Sequence, residues 1–339
     1  MRVLILCTYS TPVCGVWTRA LSDAKKLEEK GHEVLIISSN FINGKKELAE
    51  DSELIGGIDI LRYNAKRLGG ENFMRWDSQW KRDAIHFKPD VIIAHSYRHI
   101  HTTQALKIAK KIGCKCYLMT HAPFVDGNTT RTGLQSIVVR FYDKFIGPRT
   151  LKKFDKIVAI CNWEVPYLLK LGVDENKIQV IKNKPHEAFN NVPCGTLGDR
   201  DVLFLGRISP IKDIPTLLKA AELCPNIKFS IVGPVDEKYA VQILQESTTM
   251  NIPNVKFYPA INNVGDKIKM IDAHKIFVLP SKREAFPTAL VEAVARKRTI
   301  IASDCSGNRE ALEGYSDGHF FRTGDFIKLG ELIKNEVDA

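Results

Sequence analysis

The sequence predicts an α/β protein with two doubly wound parallel sheets, and three observations lead to this prediction. Short apolar runs alternate with amphipathic helical patterns along the chain, as strand–helix–strand crossover units do. At 339 residues the chain is too long for one ordinary core. A stretch rich in turn-forming residues, 183–198, interrupts the alternation and predicts a linker. We therefore expect two domains that meet at a cleft, a preferred place for ligands.

The first half begins with residues 2–8 as a strand, 17–29 as an amphipathic helix ended by Gly31, and 33–38 as the next strand. Further strands are predicted at 90–95, 115–120, 155–160 and 177–181, with helices at 100–112 and 164–171. Gly15, in the first turn, would let the backbone approach a ligand, although a lone glycine is more often only part of a turn. No Gly-x-Gly-x-x-Gly follows the first strand, which counts against a nicotinamide or flavin enzyme.

The second half repeats the pattern, with predicted strands at 201–205, 228–232, 255–258, 276–279 and 298–302. A last helix is expected near 326–337. The resulting division is an N-terminal domain, a linker, a C-terminal domain and a final helix, at 1–185, 186–200, 201–325 and 326–339.

The stretch 276–296 combines a strand, a loop with Glu284 and an almost wholly apolar helix. Pro287 suits the first helical position, and Phe286 before it offers no capping side chain. The free amides at the helix start would then favour an anion; they belong to Thr288, Ala289 and Leu290. Glu292 inside this helix needs a partner, because burying a lone carboxylate is costly. Either the two glutamates bind hydroxyls around a phosphate, or Thr288 caps the helix and Glu292 pairs with a neighbouring cation.

Two more candidate positions follow predicted strands. Gly206 ends the first strand of the second half, with Arg207 and Lys212 just beyond it. A guanidinium fork and a mobile ammonium suit a diphosphate, although both could be ordinary surface cations. His121 comes just after the strand at 115–120, at the edge where open parallel sheets bind ligands. A structural role for this lone histidine remains the alternative.

The bulk composition predicts a cytoplasmic globular protein. Hydrophobic residues make up 44% and charged residues 26%, no apolar run reaches the length of a membrane span, and no signal-peptide pattern is present. The net charge of +10 suits a polyanionic partner, and no nucleic-acid module accompanies it. Residues 73–82 and 134–147 mix aromatic and basic residues at helical spacing. Such helices either lie on an anionic membrane or pack with a solvated basic face.

The motifs of the second half resemble those of the retaining glycosyltransferases of family 4. The resemblance rests on three sets of residues in order: Gly206-Arg207-x4-Lys212, Ser281-x-x-Glu284 through Glu292-Ala, and Ser303-x3-Gly307-x2-Glu310. It covers nearly all of the second domain, and the first domain is similar more loosely, through Gly15 and His121. It implies the GT-B fold: two Rossmann-like domains facing each other across a cleft, with the acceptor bound by the first and the nucleotide sugar by the second.

The resemblance also implies residue roles. Arg207 and Lys212 would hold the donor diphosphate, Glu292 the ribose hydroxyls, and Glu284 the donor-sugar hydroxyls. The backbone after Phe286 would assist Glu284. His121 would reach the same sugar from the other domain, and the backbones of Gly15 and Gly206 would lie close to the donor.

Three features depart from the family pattern. Cys14-Gly15 stands where relatives often have two glycines, and Arg296-Lys-Arg298 stands where they have a glycine after the motif helix. The chain also ends soon after residues 326–337, so we expect either a shortened sequence or an abbreviated closing helix.

The function implied by the resemblance is transfer of a hexose, with retention, from a nucleotide diphosphate sugar to a hydroxyl of a glycan or lipid-linked glycan. The resemblance also implies no bound metal or other cofactor, and the chain has no Asp-x-Asp. Contact with the inner face of an anionic membrane is an additional expectation. Two alternatives stay open: a non-hydrolysing nucleotide-sugar epimerase, and a non-catalytic protein that binds nucleotide sugars or a membrane surface.

Overall fold

The computed structural model describes residues 1–10, 15–42, 47–68, 73–124, 134–194, 200–235, 239–243, 245 and 252–338. The chain divides into two compact units, Met1–Lys182 and Asn183–Ala339. Each unit has its own buried apolar cluster between its sheet and its helices.

The first unit contains an eight-stranded sheet in the order β10-β9-β8-β7-β1-β2-β4-β3. Its strands are β1 (Arg2–Tyr9), β2 (Glu33–Ser39), β3 (Ser52–Ile55), β4 (Ile58–Tyr63), β7 (Val91–His95), β8 (Lys115–Met119), β9 (Lys156–Ala159) and β10 (Ile178–Val180). All neighbours are parallel except β3 and β4. The chain adds strands first on one side of β1 and then on the other, which places the switch point, where such sheets bind ligands, between β1 and β7.

Helices and a small ribbon complete this unit. The ribbon pairs β5 (Ala65–Arg67) with β6 (Met74–Trp76). The helices are α1 (Gly15–Glu28), α2 (Gln79–His86), α3 (Ile100–Ile112), α4 (Leu134–Phe141), α5 (Gly147–Leu151) and α6 (Val165–Lys170), with a π-helical turn, Tyr142–Ile146, joining α4 to α5.

The second unit contains a six-stranded, wholly parallel sheet in the order β13-β12-β11-β14-β15-β16. Its strands are β11 (Arg200–Leu205), β12 (Phe229–Val232), β13 (Val255–Tyr258), β14 (His274–Leu279), β15 (Thr299–Ser303) and β16 (Gly318–Phe321). Its helices are α7 (Ala188–Asn191), α8 (Ile214–Glu222), α9 (Val264–Asp272), α10 (Thr288–Ala295), α11 (Ser306–Ala311) and α12 (Phe326–Asp338). The switch point here lies between β11 and β14.

The predicted fold class, with two doubly wound parallel sheets, is confirmed. The prediction of one aromatic, basic helix over residues 73–82 is wrong. Its first part is β6 and only its end begins α2, since Met74, Trp76 and Trp80 are all buried and Trp76 stacks on the ring of His101 at 4.7 Å. Packing of these buried side chains decides the secondary structure here, in place of the helical spacing of the sequence.

The segment predicted as a linker holds the short helix α7, and this helix packs on the second unit. Phe189 is buried, and the carbonyl oxygens of Phe189, Val192 and Pro193 accept hydrogen bonds from the guanidinium of Arg296. This part of the segment is therefore ordered by a buried arginine, which local turn chemistry does not reveal.

The end of α10 explains one departure from the family pattern. Lys297 has a φ of +54°, in the left-handed region where a glycine is usual, and its amide bonds to the carbonyl of Val294 at 2.9 Å. Arg298 then bonds back to the carbonyl of Ala293 at 3.2 Å. The chain thus makes a left-handed helix ending with a lysine in the strained position.

We expect Lys297→Gly to stabilise the protein by about 1 kcal/mol, because glycine adopts the left-handed conformation without the clash of a Cβ atom. Denaturant unfolding measures the change. Lys269→Gly, at an exposed position inside α9, is the matched control and should lose about 1 kcal/mol. Equal losses in the two variants would contradict the assignment of strain to Lys297.

Candidate functional site

The carboxyl ends of β11 and β14 are neighbours, and each leads into a candidate residue. Gly206 directly follows β11, and its backbone N–H donates to the carbonyl of Val232 at 2.9 Å. Gly233 packs against this turn so closely that a Cβ atom on it would lie 1.9 Å from the carbonyl oxygen of Gly206, and its φ is +148°. Arg207 follows directly. The tight glycine contact therefore fixes where the arginine backbone leaves the sheet.

Lys212 and Glu284 form an ion pair across this edge. The Lys212 ammonium lies 2.5 Å from Glu284 Oε1, and the two side chains are 20% and 11% exposed. Their loops are also tied together, since the amide of Lys282 donates to the carbonyl of Ile211 at 2.8 Å. The predicted diphosphate lysine and sugar-binding glutamate are thus held in one half-buried cluster.

Gly307 supports the backbone that carries Glu284. A Cβ atom at Gly307 would lie 2.4 Å from the carbonyl oxygen of Glu284 and 2.7 Å from that of Ala285. Any side chain here would push the loop away from α11. The glycine that belonged to the third motif therefore has a structural reason: it lets α11 approach the loop after β14.

The apolar helix α10 begins without a side-chain cap. Pro287, expected as the first helical residue, occupies the N-cap position instead, and the helix starts at Thr288. Val291 makes the first bond of the helix, to the carbonyl of Pro287 at 3.2 Å, so the amides of Thr288 to Leu290 precede the helical ladder. Phe286 is buried, and its carbonyl accepts a bond from Asn183 Nδ2 at 3.0 Å.

Glu292 has the cationic partner that one interpretation of the sequence required. Lys267, on α9, places its ammonium 3.0 Å and 3.1 Å from the two carboxylate oxygens. Glu292 is only 4% exposed, and desolvation raises its pKa while Lys267 opposes the shift. The pairing orients the carboxylate and leaves its remaining lone pairs able to accept from a ligand hydroxyl.

In the first unit, His121 lies just past the carboxyl end of β8 in a strained backbone conformation. Its φ is +58° and that of Ala122 is +43°. Its Nε2 lies 2.9 Å from Nδ1 of His95, a wholly buried residue at the end of β7. Desolvation, with the charge of Arg19 second, lowers the pKa of His121 to about 3, so the ring is neutral at physiological pH.

The buried histidine also favours one tautomer of His121. Nε2 of His95 is buried and has no hydrogen-bond partner in the described part of the chain. An unpaired N–H is costlier than an unpaired acceptor, which favours His95 Nδ1–H donating to Nε2 of His121. His121 then carries its own proton on Nδ1, ready to donate to an oxygen of a ligand.

Glu164 holds the strained loop at His121 and Ala122 in place through hydrogen bonds. It is completely buried and accepts from Thr120 Oγ1 at 2.7 Å and from the amide of Ile160 at 2.6 Å, and the amide of Ala122 also bonds to it. Desolvation outweighs these bonds and raises its pKa to about 7. Strain at His121 is therefore offset by a network around one carboxyl group.

We expect the stabilising effect of Glu164 to depend on pH. Because its folded pKa is raised, its contribution is fully present below about 4.5 and is lost as pH rises towards 7, at about 1.4 kcal/mol per pH unit. Glu164→Gln removes the titration. The unfolding free energy of the wild type should therefore fall relative to that of the variant as the pH rises across this window. Denaturant unfolding at several pH values measures it, and parallel pH curves would contradict the assignment.

Gly15 is the first residue of α1, directly after the N-terminal part of the predicted turn, Thr11 to Cys14, which lies outside the described residues. A Cβ atom on Gly15 would meet nothing within 4 Å. The described contacts therefore do not explain the glycine, and approach of a ligand stays a prediction.

Of the predicted site residues in the second unit, the structure brings Lys212 and Glu284 into contact. Gly206 and Arg207 follow β11, and α10 follows the neighbouring strand β14, whereas His121 and Gly15 belong to the first unit. The structure adds residues that sequence reasoning did not select: Lys267, Gly307, His95 and Glu164. Gly307 was visible only as part of a motif, and the other three carry no local signal, since the side chains that they pair with lie 25 or more positions away. No group of three or more potential metal ligands occurs in the part of the chain that the structure describes.

Comparisons with known proteins decide the family. The sequence profile described as "Glycosyltransferase Family 4" matches residues 13–183, and that described as "Glycosyl transferases group 1" matches residues 195–335. The chain belongs to glycosyltransferase family 4. Its two doubly wound units are those of the GT-B fold.

Several curated proteins resemble this family-4 chain. A Campylobacter jejuni N,N'-diacetylbacillosaminyl-diphospho-undecaprenol α-1,3-N-acetylgalactosaminyltransferase is 26% identical over 59% of the chain and 56% of its own length. The Staphylococcus aureus capsular polysaccharide glycosyltransferase CapM is 24% identical over 49% and 43%. The chain thus spans about half the length of these two relatives. A Mycobacterium leprae phosphatidyl-myo-inositol mannosyltransferase is 29% identical over 99% of the chain and 88% of its length.

Solved structures agree on the fold of this family-4 chain. Sucrose-phosphate synthase from Thermosynechococcus elongatus superposes with a TM-score of 0.72 at 16% identity, covering 99% of the chain and 90% of that structure. Anabaena HepE in complex with UDP and glucose gives a TM-score of 0.71 at 16% identity, covering 100% and 90%. At these identities the likeness concerns the fold alone.

Proposed function

We propose that the chain is a retaining glycosyltransferase that moves a hexose from a nucleotide diphosphate sugar to a hydroxyl of a glycan or lipid-linked glycan. The observation that carries the proposal is the Lys212–Glu284 pair at the edge of the second sheet, where Arg207 also lies. A cation and the uncapped start of α10 match the diphosphate of such a donor, and the carboxylate of Glu284 matches the hydroxyls of its sugar.

Each group in this cluster has a role in the proposal. Arg207 and Lys212 bind the diphosphate, and Glu292 accepts hydrogen bonds from the ribose hydroxyls while Lys267 holds its carboxylate in place. Glu284 accepts from hydroxyls of the donor sugar. His121, from the first unit, donates from Nδ1 to an oxygen of the same sugar.

The proposed chemistry needs no carboxylate nucleophile. The bond between the anomeric carbon and the diphosphate oxygen breaks, and its electron pair leaves with the nucleotide. The acceptor hydroxyl forms the new bond on the same face, and its proton passes to an oxygen of the departing phosphate. Negative charge grows on that phosphate, so Arg207 and Lys212 stabilise the transition state more than the ground state.

The relatives support both substrates of the proposal. The name of the Campylobacter relative includes an undecaprenol-linked acceptor, and the HepE structure holds UDP and glucose. We propose that this chain likewise uses a nucleoside diphosphate donor and a glycan or lipid-linked acceptor. We further propose that it works on the cytoplasmic side of the membrane without nucleic acid, bound metal or other cofactor.

A thermal-shift panel of nucleoside diphosphates tests the donor site. A ligand that binds only the folded state raises its stability, by about 2.7 kcal/mol at a hundredfold excess over Kd. We expect one diphosphate to raise the melting temperature and the matching monophosphate to raise it less, with the same result in EDTA. No shift with any diphosphate would contradict the donor site.

Product analysis separates the proposed transfer from its rivals. With the selected nucleotide sugar and candidate acceptors, we expect release of the nucleotide together with an α-linked product from an α-linked donor. An isomerised nucleotide sugar would instead identify an epimerase. Binding without nucleotide release over hours would identify a non-catalytic binding protein.

A further inference from the structure

A continuous helical segment in the first unit carries an exposed apolar stripe. It runs through α4, the π-helical turn and α5, and we call residues 137–149 the exposed segment. The stripe consists of Ile137 (63% exposed), Val138 (40%), Phe141 (58%), Phe145 (44%) and Ile146 (43%). Three of these recur every fourth residue, so they share one side of the helix. Such a concentration of large exposed apolar side chains marks an interaction site.

The opposite side of the exposed segment is already packed on the unit. The ring of Tyr142 contacts that of Tyr97 edge to face, with centroids 5.8 Å apart. Gly147 fits so closely that a Cβ atom on it would lie 2.1 Å from the Tyr97 hydroxyl. Asp143 accepts two hydrogen bonds from the guanidinium of Arg98, at 2.8 Å and 2.5 Å. The segment is therefore held firmly, and the apolar stripe is the side it presents outward.

Basic residues border the stripe. Arg140, Lys144 and Arg149 are all exposed. The single acidic residue of the segment, Asp143, turns inward to Arg98. The outward side therefore combines apolar side chains with positive charge, the composition of helices that lie at the surface of an anionic bilayer. No helix in the described ranges is long and apolar enough to cross a membrane.

We propose that the exposed segment is a docking surface for an anionic lipid bilayer. Phe141 and Phe145 enter the boundary between headgroups and acyl chains, while the three basic side chains meet the phosphates. A second copy of this chain fits less well, because a symmetric contact would bring the same positive charges together. The charge of the segment therefore selects an anionic surface over self-association.

The same contacts connect the surface to the proposed site. Besides Asp143, Arg98 donates to the carbonyl of Pro123 at 3.0 Å, two residues after His121. A bilayer bound to the exposed segment would thus lie in a fixed position relative to the loop that carries His121. This link rests on the proposed function and suits a lipid-borne acceptor; binding to the bilayer itself requires no turnover.

Sedimentation with vesicles tests the proposal. We expect the full chain to bind vesicles of phosphatidylcholine mixed with phosphatidylglycerol more tightly than vesicles of phosphatidylcholine alone, and raised salt to weaken only the electrostatic part. Equal binding to both compositions, or no binding to either, would overturn the proposal. Nucleotide release with a water-soluble acceptor is measured separately, so a failed docking surface and a failed transferase are distinguishable.

Two variants separate the apolar and electrostatic contributions. Phe141→Gln with Phe145→Gln should weaken binding to the mixed vesicles about tenfold for each phenylalanine. Arg140→Gln with Lys144→Gln should weaken it about fivefold for each charge and leave binding to phosphatidylcholine unchanged. Unchanged binding in both variants would overturn the assignment of the surface.

A matched control uses exposed apolar residues elsewhere. Leu54 is 67% exposed and Ile327 is 57% exposed, and Leu54→Gln with Ile327→Gln should bind the vesicles as the wild type does. Analytical ultracentrifugation without lipid completes the test. A wild-type dimer that the Phe141→Gln, Phe145→Gln variant dissociates would identify a second copy as the occupant and overturn the proposal.

Discussion

Replacing Lys212 with alanine is expected to lower the turnover of a nucleotide sugar about a hundredfold or more. The ammonium sits 2.5 Å from Glu284 Oε1 in a half-buried cluster, where one charged donor to a developing anion is worth several kcal/mol. The loss should fall mainly on kcat, because charge on the departing diphosphate grows in the transition state. Steady-state kinetics with the donor selected by the thermal-shift panel measure it.

Two controls distinguish chemistry from folding. Lys269→Ala removes a lysine that is 82% exposed and paired with Asp266, and its turnover should match the wild type. Circular dichroism should show that Lys212→Ala is still folded, because the substitution leaves the buried apolar core of the second unit unchanged. Wild-type turnover in a folded Lys212→Ala would remove the lysine from the mechanism and with it the diphosphate assignment.

Most of the fold could be predicted from the sequence, because the strands and helices of doubly wound sheets have recognisable local sequence patterns. Strands buried on both faces read as continuous apolar runs, and helix ends carry glycines: the predicted helix 100–112 and strand 255–258 have the observed bounds. The error at residues 73–82 arose where two tryptophans are buried from different elements. Periodicity records which residues share a face, and tertiary packing decides the element.

The candidate site could be predicted only in part, because sequence motifs identify candidate site residues but not the residues that hold their side chains in position. The apolar surroundings of Glu292 in the sequence predict a partner for its carboxylate. The sequence does not identify Lys267 as that partner, because this lysine lies on another helix and is one of many. His95 and Glu164 position the His121 loop through contacts that no spacing rule predicts. The side chains that we propose to touch a ligand could thus be chosen from the sequence by residue type, whereas the buried groups that orient them required coordinates.

The departure from the family pattern at residues 296–298 also has a physical account. Arg296 is wholly buried, and Asp272, which it faces, is 13% exposed. Its guanidinium donates to both carboxylate oxygens, at 2.8 Å and 2.5 Å, and to three backbone carbonyls around α7. One side chain therefore joins the end of α10, the end of α9 and the segment expected to be a linker.

Replacing Arg296 with methionine is expected to destabilise the second unit by about 3–5 kcal/mol, since it removes the buried guanidinium that pairs with Asp272 and donates to three backbone carbonyls. Denaturant unfolding, followed by a probe in this unit, measures the loss. Backbone amides of α7 should also exchange with solvent faster than in the wild type, because the guanidinium no longer holds their segment.

The matched control is the exposed arginine pair of the same unit. Arg309, 62% exposed, also binds an aspartate, Asp304, and Arg309→Met should change stability by no more than about 1 kcal/mol. A double variant, Arg296→Met with Asp272→Leu, should recover part of the loss, because an apolar pair replaces a carboxylate that has lost its guanidinium partner. If Arg296→Met and Arg309→Met prove equally mild, the buried arginine does not hold the segment, and turn chemistry alone orders α7.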